Sequence, residues 1–240
     1  SNRVQASQHA GGISGFLISP DAKKVVVIGN VKYARSAGDL YPDLPKATGR
    51  VIDDLMYKHW DEWVTEIPHP FIGNFDGNKV TDLKDIMADE PFEAPMKPFG
   101  GVESFAWSPD SRSLVYVSRK KTGMEYAVST NSDLYLYDLA SGKTECLTPD
   151  NPGYDTAPSF SPDGKQLAWL SMQTPKYESD KNRLMVMDMA TRQKRDLTEN
   201  WDRWPEEFKW GKDGKEIFFA GYHNGTEPVF KINVASCAVD

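Results

Sequence analysis

Cysteine is scarce in this chain, and so are long apolar stretches and dense basic clusters. The 240 residues include only two cysteines, Cys146 and Cys237, which excludes a disulfide framework and leaves a single bridge open. No apolar run approaches the ~20 residues that a membrane-spanning helix needs, so we predict no membrane span. The 28 Lys and Arg residues are spread along a chain of net charge −7, which argues against nucleic acid as a partner.

Catalytic and metal-binding signatures are absent as well. The pentapeptide Gly-x-Ser-x-Gly, which forms the nucleophile elbow of an α/β-hydrolase, does not occur, and the nearest segment, residues 12–15, has the wrong spacing. The four histidines show no metal-ligand spacing, so scattered loop histidines are the favoured interpretation. We therefore expect no catalytic residue, no metal ligand and no cofactor in this chain.

A fourfold repeat is the main positive feature of the sequence. Each copy has an apolar stretch, a turn resembling Ser-Pro-Asp-Gly, a basic residue and a second apolar stretch. The copies span residues 16–29, 105–118, 158–171 and 208–221. In the third copy, Pro162 presets φ for the second position of a type I turn, and Asp163 and Gly164 suit the next two positions. Each copy therefore predicts a hairpin of two buried strands.

A second hairpin pattern alternates with the first. It is clearest at residues 133–148 and 183–198, with less exact copies at 70–83 and 228–240. Each repeat thus supplies four strands, and a repeat of about 40–50 residues with four strands is typical of a propeller blade. The predicted fold class is all-β, a β-propeller fragment of about four four-stranded blades forming one partial domain, 1–240. The predicted blades cover residues 13–83, 101–148, 155–198 and 205–240.

Blade one is longer than the others because residues 31–66 lack a strand pattern. Val51, Leu55, Met56, Trp60 and Trp63 lie near helical spacing, which predicts a short helical insertion in this blade. Polar loops at 120–132 and 173–182 occupy the same place in blades two and three. One face of the propeller should therefore carry the long loops.

Two segments resemble a known enzyme family. Residues 54–63 read Asp-Leu-Met-Tyr-Lys-His-Trp-Asp-Glu-Trp, and residues 197–203 read Leu-Thr-Glu-Asn-Trp-Asp-Arg, followed by Phe-Lys-Trp at 208–210. Both resemble bacterial dipeptidyl peptidases and acylaminoacyl peptidases of the prolyl oligopeptidase family, and the resemblance covers nearly the whole chain. In that family a larger propeller precedes an α/β-hydrolase domain with a Ser-Asp-His triad. The resemblance implies that this chain is the N-terminal part of the propeller and that the catalytic domain lies outside it.

The insertion contains the candidate substrate-binding residues, Asp61 and Glu62 beside Trp60. The resemblance implies that such carboxylates, on a propeller insertion, hold the free α-amino group of a substrate, since a paired carboxylate fixes the position of a cation. The alternative is a solvated acidic face in which the tryptophans serve as packing anchors. A further set of aromatic residues lies in or near the long loops and is a candidate lining for a peptide path: Tyr126, Tyr177 and Tyr222.

Two function classes follow from the sequence. The leading hypothesis is a non-catalytic propeller domain of a serine exopeptidase, of dipeptidyl or acylaminoacyl type, that gates the access of short peptides to a hydrolase domain. The alternative is a non-enzymatic periplasmic propeller of the Tol-system type that binds protein partners. Relatives of the first class are often periplasmic, so we expect a periplasmic or secreted protein, with a cytoplasmic location as the alternative. The expected partners are short peptides, the missing blades and the hydrolase domain, and open blade edges predict self-association.

Overall fold

Four antiparallel sheets follow one another along the chain in a computed structural model that describes residues 3–240. Each sheet is a meander, in which every strand pairs with the next strand of the same blade. Blade one consists of β1 (Ile13–Ile18), β2 (Lys24–Lys32), β5 (Glu66–Phe75) and β6 (Val80–Asp85). The long connection between β2 and β5 contains the insertion.

Blades two and three have the same four-stranded order. Blade two follows a 3-10 turn at Val102–Ser104 and contains β7 (Phe105–Trp107), β8 (Ser113–Ser118), β9 (Asp133–Asp138) and β10 (Thr144–Cys146), with the helix α2 (Gly123–Val128) between β8 and β9. Blade three contains β11 (Asp155–Phe160), β12 (Gln166–Ser171), β13 (Arg183–Asp188) and β14 (Lys194–Asp196). These sheets confirm the all-β fold with four-stranded units predicted from the repeat.

Blade four is a three-stranded sheet of β15 (Pro205–Trp210), β16 (Glu216–Gly221) and β17 (Val229–Asn233). The fourth strand predicted for it is reduced to a short pairing after a tight turn. Lys231 and Asp240 exchange backbone hydrogen bonds of 2.9 and 2.8 Å, and Ile232 forms a bridge with Val239. Cys237, with φ of 58°, lies in the turn that brings these residues back onto β17.

The repeated turns have the geometry that the Ser-Pro-Asp-Gly pattern predicts. The Ser161 hydroxyl donates to Asp163 Oδ1 at 2.7 Å, and Asp163 Oδ1 also accepts from the Lys165 amide at 3.1 Å. Gly164 has φ of 72° and donates its amide to the Ser161 carbonyl at 2.9 Å. The turn is therefore closed by local side-chain and backbone bonds, which explains why a short pattern encodes it.

Three apolar clusters hold neighbouring blades together. They join blade one to two, two to three, and three to four. Trp107 in β7 donates its indole N–H to the Leu17 carbonyl of blade one at 3.0 Å, and Trp210 in β15 donates to the Ser159 carbonyl of blade three at 3.0 Å. These tryptophans occupy equivalent positions in their repeats. The same hydrogen bond to the preceding blade is therefore formed at both places.

No apolar cluster joins blade four to blade one within residues 3–240. On the outer side of blade one, the Phe16 side chain is 61% exposed, and Phe218 on the outer side of blade four is 42% exposed. The far face of blade one is partly covered by the N-terminal segment, in which His9 packs edge-on against Phe71 with 4.6 Å between ring centroids. The four blades are therefore a propeller segment whose first and last blades are not packed against each other.

The insertion differs from its prediction. A helix is present, α1 (Ala37–Leu40), which begins at a Ser36 capping box, but residues 51–63 are not helical. Instead β3 (Lys58–His59) and β4 (Glu62–Trp63) form a small hairpin. The apolar spacing was misleading because these side chains face different surroundings: Met56 is 4% exposed in a small core, whereas Trp60, at the turn, is 73% exposed with φ of 51°.

All the long loops lie at one face of the segment, as predicted. In a meander, alternate connections fall at the same end of the sheet, so the insertion, the α2 loop and the β12–β13 loop share a face with the connections between blades. The short repeat turns occupy the other face. Neither α1 nor α2 is long and apolar enough to cross a membrane, and the described residues contain no other candidate helix.

Candidate functional site

A cleft of about 940 Å³ opens on the loop face. Its walls come from four parts of the chain: the β3–β4 hairpin, the connection between blades one and two, the α2 loop, and the β12–β13 loop. These parts belong to three successive blades. The propeller order brings them together, because each blade places its loops at the same end.

Glu93 is the residue that joins the walls of this cleft. Its side chain is 2% exposed; His59 Nε2 lies 3.0 Å from Glu93 Oε2, and the Tyr126 hydroxyl donates to Oε1 at 3.1 Å. The Ser118 hydroxyl donates to the Glu93 carbonyl at 2.9 Å. Burial, and then the charge of Glu93, raise the pKa of Tyr126, so the phenol stays neutral and remains a donor. One buried carboxylate thus links the insertion to α2.

Two further contacts support the same junction. The Gly123 amide, at the start of α2, donates to Asp54 Oδ1 of the insertion at 2.8 Å. The Arg119 guanidinium lies 5.2 Å from the centre of the Tyr126 ring, and its Nε donates to the Asn131 carbonyl at 2.8 Å. These contacts position Arg119 and Tyr126 at the cleft wall.

The three predicted substrate-binding residues are not all at the cleft. Trp60 lines it and packs edge-on against Phe99, with 5.1 Å between ring centroids. Asp61 and Glu62 are exposed at the tip of the β3–β4 hairpin and do not line the cleft. Their role as an amine-binding pair stays a prediction.

The charge of the cleft is mainly positive. Its basic residues are Lys58, Lys97, Arg119 and Lys176, and its one acidic residue is Glu178. This pattern was not visible in the sequence, because the four cations come from segments far apart in the chain. Glu93 was missed for the same reason, although a lone acid in the apolar, proline-rich stretch 91–98 was a signal of burial with a partner.

The remaining candidates are dispersed. Of the three loop tyrosines, Tyr126 lines the cleft, whereas Tyr177 and Tyr222 are exposed and do not. Residues 3–240 contain no convergent group of three or more His, Cys, Asp or Glu side chains. Cys146 and Cys237 are both free thiols. His69 bonds Asp85 at 2.8 Å within blade one, away from the cleft lining.

The fold and the repeated turns define a propeller of a known class. The family model described as TolB beta propeller domain matches residues 101–240, and the chain belongs to this family. The matched region includes blades two, three and four. Because this class includes propellers with different roles, the match identifies the architecture and not the role of the chain.

More specific similarity comes from individual relatives. The chain is 54% identical over 209 residues to dipeptidyl-peptidase 5 of Porphyromonas gingivalis, covering 87% of this chain and 31% of that protein. It is 50% identical over 183 residues to dipeptidyl-peptidase 5 of Porphyromonas endodontalis, covering 76% of this chain and 26% of that protein. The chain thus spans less than a third of these relatives. The resemblance to propellers of prolyl oligopeptidase-family peptidases is confirmed.

Solved structures show the same fold at low sequence identity. The acylaminoacyl peptidase of Pyrococcus horikoshii superposes with a TM-score of 0.61 at 14% identity, covering 96% of this chain and 31% of that one. A putative TolB from Agrobacterium tumefaciens gives a TM-score of 0.51 at 15% identity, covering 94% and 62%. Peptidase and TolB propellers both match, so the architecture alone does not separate the two predicted functions.

Proposed function

We propose that this chain is the non-catalytic propeller segment of a serine exopeptidase that releases dipeptides or acylated residues. The observation that carries the proposal is the 54% identity to a dipeptidyl-peptidase 5 over 87% of the chain. In this proposal the hydrolase domain lies elsewhere in the protein, and the propeller gates the peptides that reach it. We further propose a periplasmic or secreted location, from the resemblance to such enzymes.

The cleft supports a role in handling peptides. It is built from loops of three blades, and the buried Glu93 fixes two of its walls before any ligand arrives. A preformed concave cleft of this size is typical of a ligand-binding site, and in this proposal its ligand is an extended peptide. The free carboxylates of Asp61 and Glu62 lie on the hairpin beside it, where they are available to an α-amino group.

The test compares the full-length protein in which this chain occurs with the 240-residue chain alone. Each is treated with a fluorophosphonate, which reacts with an activated serine, and is assayed on chromogenic dipeptides. We expect labelling and cleavage with the full-length protein only. If the full-length protein is neither labelled nor active, the peptidase proposal fails and a binding propeller of the Tol-system type is the better account.

A further inference from the structure

The positive charge of the cleft is not explained by a gate that acts through size alone. The lining of the cleft includes four basic residues, Lys58, Lys97, Arg119 and Lys176, and a single carboxylate, Glu178. Within residues 3–240, none of the four forms an ion pair with a carboxylate. This concentration of unpaired cations occurs in a chain with a net charge of −7. The residues that line the cleft therefore have an excess of positive charge, although the chain as a whole is negative.

One of these cations, Arg119, is held at the cleft by its own side-chain contacts, and the backbone of Lys176 is tied to a neighbouring loop. The Arg119 guanidinium lies 5.2 Å from the centre of the Tyr126 ring, and its Nε donates to the Asn131 carbonyl at 2.8 Å. The Lys58 ammonium instead lies 4.6 Å from the centre of the Trp63 ring, which is not part of the cleft lining. The Lys176 amide donates to the Thr130 hydroxyl at 2.7 Å, which ties the blade-three loop to the blade-two loop. Groups that are positioned in advance lose less conformational entropy when they bind a ligand.

Exposed aromatic rings lie beside the cations. Trp60 and Phe99 are 73% and 79% exposed and pack against each other. Large aromatic side chains in such a position bury much apolar area when a ligand covers them, and tryptophan is a frequent anchor in binding sites. The combination of cations with an aromatic pair suits a ligand that has both an anionic group and an apolar side chain.

We propose that the cleft binds short peptides through their carboxylates, with Trp60 and Phe99 contacting a neighbouring apolar side chain. Guanidinium and ammonium groups form charge-assisted hydrogen bonds with carboxylates, which are stronger than neutral ones. The inference rests on the proposed function in taking peptides as the ligand. Two sources supply the carboxylate, an acidic side chain and a peptide C-terminus, and the probes below separate them.

The experiment measures peptide binding by calorimetry with the full-length protein. The first probe, acetyl-Leu-Glu-Ala-Glu-amide, has only side-chain carboxylates. The second, acetyl-Leu-Gln-Ala-Gln with a free C-terminus, has only a terminal one, and the third, acetyl-Leu-Gln-Ala-Gln-amide, has none. We expect the first or second probe to bind at least about ten-fold more tightly than the third, and raising the salt to about 0.5 M to weaken that binding. Equal binding of all three probes, or no binding, overturns the proposal.

Substitutions locate the binding in the cleft. Lys97→Gln with Lys176→Gln removes two exposed, unpaired charges, and we expect affinity for the carboxylate probe to fall by about five-fold or more. The matched control, Lys143→Gln with Lys212→Gln, removes the same charge from turns on the opposite face and should leave affinity unchanged. A cleft variant that binds like the unsubstituted protein contradicts the proposal.

The acetyl group removes the free amine that Asp61 and Glu62 would bind. Because an acylaminoacyl peptidase would cleave an acetylated probe, binding is measured after treatment with the fluorophosphonate, which blocks an activated serine and leaves the cleft residues unchanged. A protein that lacks an activated serine but binds acidic peptides in the cleft refutes the peptidase proposal and leaves this inference intact. If the protein is a labelled, active peptidase but binds the three probes with the same affinity, the peptidase proposal is supported and this inference is refuted.

Discussion

His59 of the insertion hairpin and the buried carboxylate of Glu93 lie 3.0 Å apart, although 34 residues separate them in the chain. Tyr126 of blade two shares the same carboxylate. The insertion is therefore fastened to the next blade through a residue that belongs to the connection between them. This contact positions the hairpin residues Trp60 and Lys58 relative to the other walls of the cleft.

We expect Glu93→Ala to loosen the insertion. The change leaves His59 and Tyr126 without their shared acceptor, and an unsatisfied buried polar group costs about 1–3 kcal/mol. Trypsin cleavage after Lys58, followed by mass spectrometry under native conditions, should then become about ten-fold faster. Glu125→Gln on the exposed side of α2 serves as the control, with no change expected. An unchanged cleavage rate at Lys58 in the Glu93 variant shows that the carboxylate does not fasten the hairpin.

The acidic tip of the hairpin gives a second prediction. If Glu62 binds the substrate's α-amino group, Glu62→Gln in the full-length protein raises KM for dipeptide substrates by roughly ten-fold, because a hydrogen bond between charged groups is lost. The value of kcat should change less than KM, since in this hypothesis Glu62 contacts the amino group of the substrate and not the bond that is cleaved.

The control for this prediction is Glu66→Gln, a neighbouring exposed carboxylate at the start of β5. We expect its kinetics to match those of the unsubstituted enzyme. An unchanged KM in the Glu62 variant favours the alternative, in which the acidic tip is only a solvated surface.

The repeat turns were predictable from sequence because their interactions are local. Asp163 bonds the amide of Lys165 two residues away, and Gly164 supplies the positive φ that the turn needs. The course of residues 51–63 was not predictable in the same way. Met56 packs in a small core with Val64 and Ile67, whereas Trp60 and other apolar side chains of this stretch stay exposed, so their spacing does not indicate a helix. Glu93 and its partners were missed because His59 and Tyr126 are each more than 30 residues from it.

The open face of blade four predicts self-association of the isolated 240-residue chain. Phe218 and Val229 are exposed on the free face of blade four, where the next blade of a propeller normally packs. Gel filtration at rising concentration should show a dimer or larger species, and Phe218→Ser with Val229→Ser should shift the chain towards monomer. Tyr177→Ser, at an exposed loop, is the control and should not. A monomer at all concentrations, with a sharp melting transition, contradicts the open-segment description.

Asp155 at the start of β11 predicts a pH-dependent stability. Its side chain is buried, Trp169 donates to Oδ1 at 2.8 Å, and Oδ2 has no partner among the described residues. Burial raises the pKa of Asp155 from 3.8 to about 6, more than its hydrogen bonds lower it. Between these values the folded chain holds a proton that the unfolded chain releases. The contribution of Asp155 to the free energy of unfolding therefore falls as the pH rises from about 4 to about 6.

Asp155→Asn removes this titration. From the size of the shift, the stability of the unsubstituted chain relative to the variant should fall by roughly 3 kcal/mol between about pH 4 and pH 7. Denaturant unfolding of both chains across this range measures the difference, in which the titrations that they share cancel. Asp202→Asn, at a side chain that is 91% exposed, is the control, and its stability relative to the unsubstituted chain should not depend on pH. If the difference between the Asp155 variant and the unsubstituted chain is the same at every pH, Asp155 titrates alike in the folded and unfolded states and its burial does not destabilise the ionised form.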